Sequence, residues 1–349
     1  MAVMPVRERG VAIITAMLVI ALGTVTMVAI TSQQQLALQR ERNEAMIQQA
    51  RSIGISGERF VAAVLYRDVR DKLRNNSDSL DDDWAQTIPP LPIDNATIQG
   101  CIVDMQGRFN LNNIVDAQGN VSNVHYDQFK RLLAQLNIEE TKAEAVLDWL
   151  DSNIDPTIPD GAEDDHYTSL DPGYRTANRP MSSISELLQV KGFNPMVEEE
   201  YEDYKLLVPH ISALPNTGGA TPVNVNTASP EVLSSLSDSV AEDASYLTRW
   251  ETTAYQDYPE CEELFDLEPE NKLDTLFSER DLSPFESIDQ FNAELSGDPP
   301  PEDTYDVRSN WYEVRINVEA EGIVLSQYTL FERGDDGKSR VVRRSRDTL

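Results

Sequence analysis

Three observations predict an α+β fold: a long N-terminal helix, a small antiparallel sheet and a large all-α domain inserted into that sheet. Val11 to Ile30 holds twenty residues without a charge, sixteen of them apolar, and a helix of that length reaches roughly 30 Å, enough to cross a bilayer. Two stretches with strand patterning lie far apart, at residues 97–111 and 312–331. Almost everything between them carries apolar residues at helical spacing.

The helix comes first. Arg7 and Arg9 precede the apolar run, so the positive-inside bias holds the first residues in the cytoplasm and sends the rest outward. A secretory signal would have a shorter apolar region and a small-residue cleavage site after it. Instead, Leu36 to Leu65 continues with good helix formers and no proline, which predicts one helix running on out of the membrane to about residue 74. The Asn75–Ser77 and Asp81–Asp83 clusters, followed by Pro89-Pro90-Leu91-Pro92, then read as loop.

Thr97 to Leu111 reads as two short strands turning at Gln106-Gly107. Tyr312, Val314, Ile316, Val318 and Ala320 alternate with Glu313, Arg315, Asn317 and Glu319, the pattern of a half-buried strand. Glu321-Gly322 supplies a turn and Ile323 to Phe331 the returning strand. Four antiparallel strands packed on the outer half of the helix would make an α+β head. Within the insert, helical spacing marks Tyr126–Leu136 and Ala143–Leu150, and shorter helices are expected at Ile184–Val190, Pro230–Leu236 and Ala241–Trp250. Ser296 to Pro301 reads as the return linker. The resulting segments are 1–10, a helix over 11–74, a head from 75–120 and 305–335, an insert over 121–304, and a basic tail over 336–349.

Charge narrows the function classes. The net charge is -31, a field that repels phosphate backbones and favours cations or basic protein surfaces. Residues 1–75 carry ten Arg or Lys against six acids, so the acidity belongs to the remainder. Cys101 and Cys261 show no metal-type spacing; in an oxidising compartment they could form one disulfide, but spacing alone does not show that they meet. His125, His166 and His210 are scattered, and neither a zinc-protease motif nor a nucleophile elbow is present, so no enzyme class is supported. Gly334 to Ser339 falls short of a phosphate-binding loop, because Glu332 stands at its first glycine position and no helix can follow.

Two stretches stand out. Asp148 to Tyr174 contains Asp148, Asp151, Asp155, Asp160, Glu163, Asp164, Asp165 and Asp171. Asp148 and Asp151 are three apart and can share a helix side, and Asp160-Gly161-Ala162-Glu163 can fold back toward them. These carboxylates either stay solvated or gather round a hard cation such as calcium; composition leaves both open. The second stretch, Val223 to Leu233 (VNVNTASPEVL), places Ser229 as an N-cap ahead of Pro230.

Arg9-Gly10 directly before Val11-Ala12-Ile13-Ile14, the run DGAEDDHY with Asp171-Pro172-Gly173-Tyr174-Arg175 after it, and NVNTAS together resemble the K-type minor pseudopilins of type II secretion, in the type IV pilin and pseudopilin family. The resemblance implies a prepilin leader cut between Gly10 and Val11 by a prepilin peptidase, with methylation of Val11. It implies a pilin-like sheet, and a structural calcium ion drawing on Asp151, Asp155, Asp160, Glu163, Asp164 and Asp165. It further implies a place in the bacterial inner membrane with the bulk in the periplasm, and a tip complex with the I- and J-type minor pseudopilins that initiates the pseudopilus and contacts exported proteins. Most of the family has Glu at the fifth mature position where this chain has Thr15, a departure shared by the K type. NVNTAS also resembles the opening of helix-hairpin-helix modules, which makes a membrane-anchored DNA-binding protein of competence type the alternative. The acidic surroundings offer no basic stripe for phosphates, so the reading here is no nucleic acid and no catalysis.

Overall fold

Helix propensity without interruption carries α1 from Arg7 to Asp71, 65 residues, in the computed structural model, which describes residues 7–71, 77–86, 88–216, 218–248 and 283–346. Its first half meets nothing: the most apolar 18-residue window has a mean hydropathy of 2.5 and none of it is buried. Its second half is amphipathic, burying Ala50, Ile53, Val61 and Leu65. Gly57 lets helix and sheet approach closely, since a Cβ there would lie 2.9 Å from Ile98 Cδ1 and 3.0 Å from Ile316 Cδ1.

The sheet is antiparallel in the order β1-β2-β7-β8-β9. Its strands are β1 (Ile88–Ile93), β2 (Ala96–Asp104), β7 (Trp311–Ala320), β8 (Ile323–Arg333) and β9 (Ser339–Ser345). β2 and β7 pair from Ala96 opposite Ala320 to Asp104 opposite Tyr312, so the insert leaves and re-enters the head at one end of adjacent strands. Alternation on β7 places Tyr312, Val314, Ile316 and Val318 in the core with Trp84, Ile102 and Phe331; Trp84 meets Tyr312 edge-on at 5.1 Å. The expected turn at Glu321-Gly322 is present, with φ of 47° and 84°, the left-handed pair of a type I′ hairpin.

Three local expectations are corrected. The proline-rich stretch is the edge strand β1, where missing amide donors face no neighbour and are tolerated. The basic tail contributes β9, which makes five strands and not four. Gln106-Gly107 does not close a hairpin: β3 (Phe109–Asn110) leaves the sheet and pairs in parallel with β4 (Ile211–Ser212) inside the insert.

Helices dominate the insert: α2 (Asn123–Gln135), α3 (Lys142–Leu150), α4 (Asp164–Tyr167), α5 (Glu198–Leu207), α6 (Pro230–Leu236), α7 (Asp238–Leu247) and α8 (Ile288–Ala293). Besides β3 and β4, only β5 (Val223–Asn224) and β6 (Tyr305–Asp306) add strand among its described residues, again as a parallel pair. The segment expected as helix at Ile184–Val190 is a 3-10 helix over Ile184–Gln189. One core joins Phe109, Phe129, Leu133, Trp149, Tyr167 and Phe291. The expected linker is tied down, because Ser296 donates to Asp243 through both its amide and its hydroxyl.

Candidate functional site

The acidic loop is built on the end of α3. Helical spacing turns Asp148 and Asp151 inward, and both are buried, as is Glu163 beyond the loop. Asp148 accepts from the Thr157 amide at 3.1 Å and from its hydroxyl at 2.6 Å. Asp151 accepts from the Asn153 amide at 3.1 Å and from its side-chain nitrogen at 2.7 Å. Gly161 closes the loop on Asp148: a Cβ there would stand 2.2 Å from Asp148 Oδ2 and 2.4 Å from the Thr157 carbonyl.

Glu163 differs from the other two, because neither of its buried carboxylate oxygens meets a donor at hydrogen-bond distance, and the nearby Thr176 side chain offsets its burial only in part. Among the described residues no Lys or Arg pairs with Asp148, Asp151 or Glu163. Burial first, then mutual repulsion, pushes Asp151 up to about 6 and Glu163 up to about 7, and burial raises Asp148 as well. A buried carboxylate with neither donor nor counter-charge is costly, and an oxygen-only donor set of this kind suits calcium.

The other predicted ligands lie further out. Asp155, Asp160 and Asp165 are exposed; Asp160 stands 3.7 Å from Lys191 Nζ. Asp164 is half-buried, accepts from the Thr176 amide at 3.0 Å and lies 3.7 Å from Arg175. The six are therefore not drawn into one cluster, and Asp148, outside that set, is the most enclosed carboxylate of the loop. Among the described residues, three carboxylates come within 4.8 Å of one another only at Asp68, Asp78 and Asp82. There Arg333 already supplies the cation, 3.0 Å from Asp68 and 2.6 Å from Asp78.

NVNTAS lies at the junction of head and insert, fully enclosed. Asn224 donates to Asp104 Oδ2 at 3.0 Å and Ser309 Oγ at 2.8 Å, while the hydroxyls of Thr227 and Ser309 each reach Asp104 Oδ2 at 2.6 Å. Asn226 brackets the backbone of Phe285, and Ser229 caps α6 by accepting from Val232. These side chains are spent on the chain itself. Asp104, Asp78, Ser309 and Arg333 complete the hub; sequence reading missed them because no local pattern links residues so far apart. Arg9-Gly10-Val11 falls at the start of α1. Cys101 is buried and not a free thiol; Cys261 lies outside the described residues.

A membrane-length helix running into an antiparallel sheet, with a helical insert sealed onto that sheet by a buried polar hub, defines a helix-anchored pilin-like protein. Residues 107–216 match the family model described as type II secretion system protein K. A relative named type II secretion system protein K from Pseudomonas aeruginosa is 31% identical over 347 residues, spanning 97% of this chain and 92% of the relative. One of the same name from Aeromonas hydrophila is 28% identical, spanning 97% of each. The crystal structure of the GspK-GspI-GspJ complex from the enterotoxigenic Escherichia coli type 2 secretion system holds a similar fold, with a TM-score of 0.66 at 21% identity over 89% of this chain and 100% of that one. The chain belongs to the type II secretion system protein K family, the minor pseudopilins of that machine.

Proposed function

We propose that this minor pseudopilin occupies the tip of the pseudopilus, held in the inner membrane by α1 with head and insert in the periplasm, and starts assembly by joining the I- and J-type minor pseudopilins. The observation that carries this reading is that the insert, expected over 121–304, lies within the segment between β2 and β7 and so leaves and re-enters the head between two neighbouring strands. Such a body widens the head far beyond its five-stranded sheet, so further subunits can stack beneath it but not above it. The complex named for the similar GspK chain supports the choice of partners. Processing between Gly10 and Val11 by a prepilin peptidase completes the path, and removal of Arg7 and Arg9 takes away the charge that precedes the apolar helix.

Calcium belongs to the same proposal. Asp148, Asp151 and Glu163 would hold it, with Asp155, Asp160, Asp164 and Asp165 as outer oxygens, and it would supply positive charge that pins an irregular loop. The role is structural, not catalytic.

The test is made on full-length chain purified from membranes containing its peptidase, mixed in detergent with I- and J-type partners. A chain beginning at Val11 by intact mass, in a discrete complex holding one copy of each protein, is the expected result. A chain that keeps residues 1–10, or copies of it spaced along isolated pseudopili, would overturn the proposal.

A further inference from the structure

In a chain of net charge -31, one cavity is lined by three arginines. It lies where the outer face of the sheet meets the insert, with a volume of about 190 Å³. Arg108 enters from the segment after β2, Arg315 from β7 and Arg343 from β9, while Ile184 and Leu330 are among its apolar walls. Among the described residues Glu313 is the one carboxylate of the lining, held by Arg315 at 2.5 Å in a pair whose side chains are only 6% and 13% exposed, while Glu186 adds negative charge near Arg343 from outside it. Arg315 also lies over the Tyr328 ring, 5.8 Å from its centre. Strand register places Arg343 opposite Leu330 and Leu330 opposite Glu313, so Arg343 shares a row with Glu313, while Arg315 lies on the row of Tyr328.

Arg343 is the member left incomplete. Its Nε is buried with no acceptor, although a guanidinium nitrogen removed from water normally keeps one. The cavity is smaller than the 300–1,000 Å³ of small-molecule sites, and at about 30 Å³ per water it has room for roughly six waters or a single side chain. Apolar walls beside a guanidinium suit an acidic side chain whose methylenes are covered while its carboxylate is bound.

We propose that this cavity is a docking site for one acidic side chain, Glu or Asp, presented by a partner protein, with Arg343 donating to its carboxylate. Because the lining comes from both head and insert, the incoming side chain would bridge the two. The inference rests on the proposed role only in taking the occupant to be a protein, and binding of a peptide succeeds or fails whether or not pseudopili form.

The experiment is an NMR titration of isotope-labelled full-length chain in detergent micelles, following the Nε–H signal of Arg343. The probes are the blocked peptide Ac-Ala-Leu-Glu-Leu-Ala-NH2, its glutamine counterpart, and sodium acetate. A saturable shift with the glutamyl peptide, absent with the glutaminyl one and weakened roughly tenfold or more in Arg343→Lys, is expected, since the lysine keeps the charge but loses the fixed donor. Ser185→Trp, which fills the cavity without touching the charges, should abolish the shift and serves if Arg343→Lys misfolds. Equal shifts from both peptides, or unchanged binding in Ser185→Trp, would overturn the site. Acetate binding as tightly as the peptide would overturn the protein occupant in favour of small anions.

Discussion

Glu163 is the residue where local geometry and chemistry disagree most. Two buried oxygens without donors are tolerable only if the group takes a proton or gains a cation, and burial accordingly raises it to about 7. Adding calcium to chelator-treated full-length chain at pH 7.5 should raise its melting temperature, by the equivalent of about 2.7 kcal/mol at a hundred times the dissociation constant. Glu163→Gln should lose most of that gain while being no less stable without metal. A melting curve indifferent to calcium, or a variant keeping the full shift, would refute the metal role. His210 offers a second test. Its Nδ1 lies 2.9 Å from Ser229 Oγ and its side chain is buried, which lowers it to about 4. The unfolded chain takes up that proton near pH 6.5 and the folded chain near 4, so this residue's stabilising contribution is complete above pH 6.5 and is lost as the pH falls toward 4. Denaturant melts of wild type and His210→Gln should therefore differ in slope across that window, the variant losing less stability on acidification; parallel curves would count against a buried neutral imidazole. In the sequence, the acid-rich run and the i, i+3 pair were visible. That Glu163 joins them was not, because it is brought in by the fold back through Gly161 and not by any local spacing.

At the scale of elements, Arg333 ties three of them together. From the end of β8 it reaches Asp68 on α1, Asp78 in the segment after it, and the Ser309 carbonyl ahead of β7 at 2.6 Å, while its guanidinium lies 4.8 Å from the centre of the Tyr312 ring. All of these groups are buried. Breaking one partner of such a buried network typically costs 3–5 kcal/mol, so Arg333→Met should lose about that much in urea unfolding. The triple variant Asp68→Asn, Asp78→Asn, Arg333→Met should recover part of the loss, because the two carboxylates that bind Arg333 are then neutral as well. A single variant within about 0.5 kcal/mol of wild type would show that the network is not a clamp. None of this was legible in the chain, where the partners are separated by up to 265 positions. The same locality limit explains the strand errors. β7 and β8 announced themselves by alternation and by Glu321-Gly322. β1 was hidden by Pro89, Pro90 and Pro92, which mark a loop everywhere except at a sheet edge. β3 was misassigned because its partner, Ile211–Ser212, lies a hundred residues downstream.

The whole molecule divides between a bare apolar rod and a head sealed by buried polar contacts, and Thr15 lies in the part that only a membrane or a neighbour can cover. Its side chain is exposed and its hydroxyl donates to the Ala12 carbonyl at 3.0 Å, so it asks nothing of a second subunit. A carboxylate there would be different, since an unpaired charge in a membrane helix costs up to about 2.5–3.5 kcal/mol at its centre and less toward its ends, where Thr15 lies. In the family this chain resembles, the Glu that most members carry at this position is expected to neutralise a neighbouring subunit's N-terminal amine inside the fibre. A tip subunit has no subunit above, so Thr15→Glu should reduce secretion in cells lacking the native gene even when the variant reaches the membrane at normal levels. Thr15→Val, apolar and of the same shape, should secrete as wild type does. If Thr15→Glu instead supports full secretion, a neighbour's amine is meeting it at that depth, and the chain belongs within the fibre and not at its end.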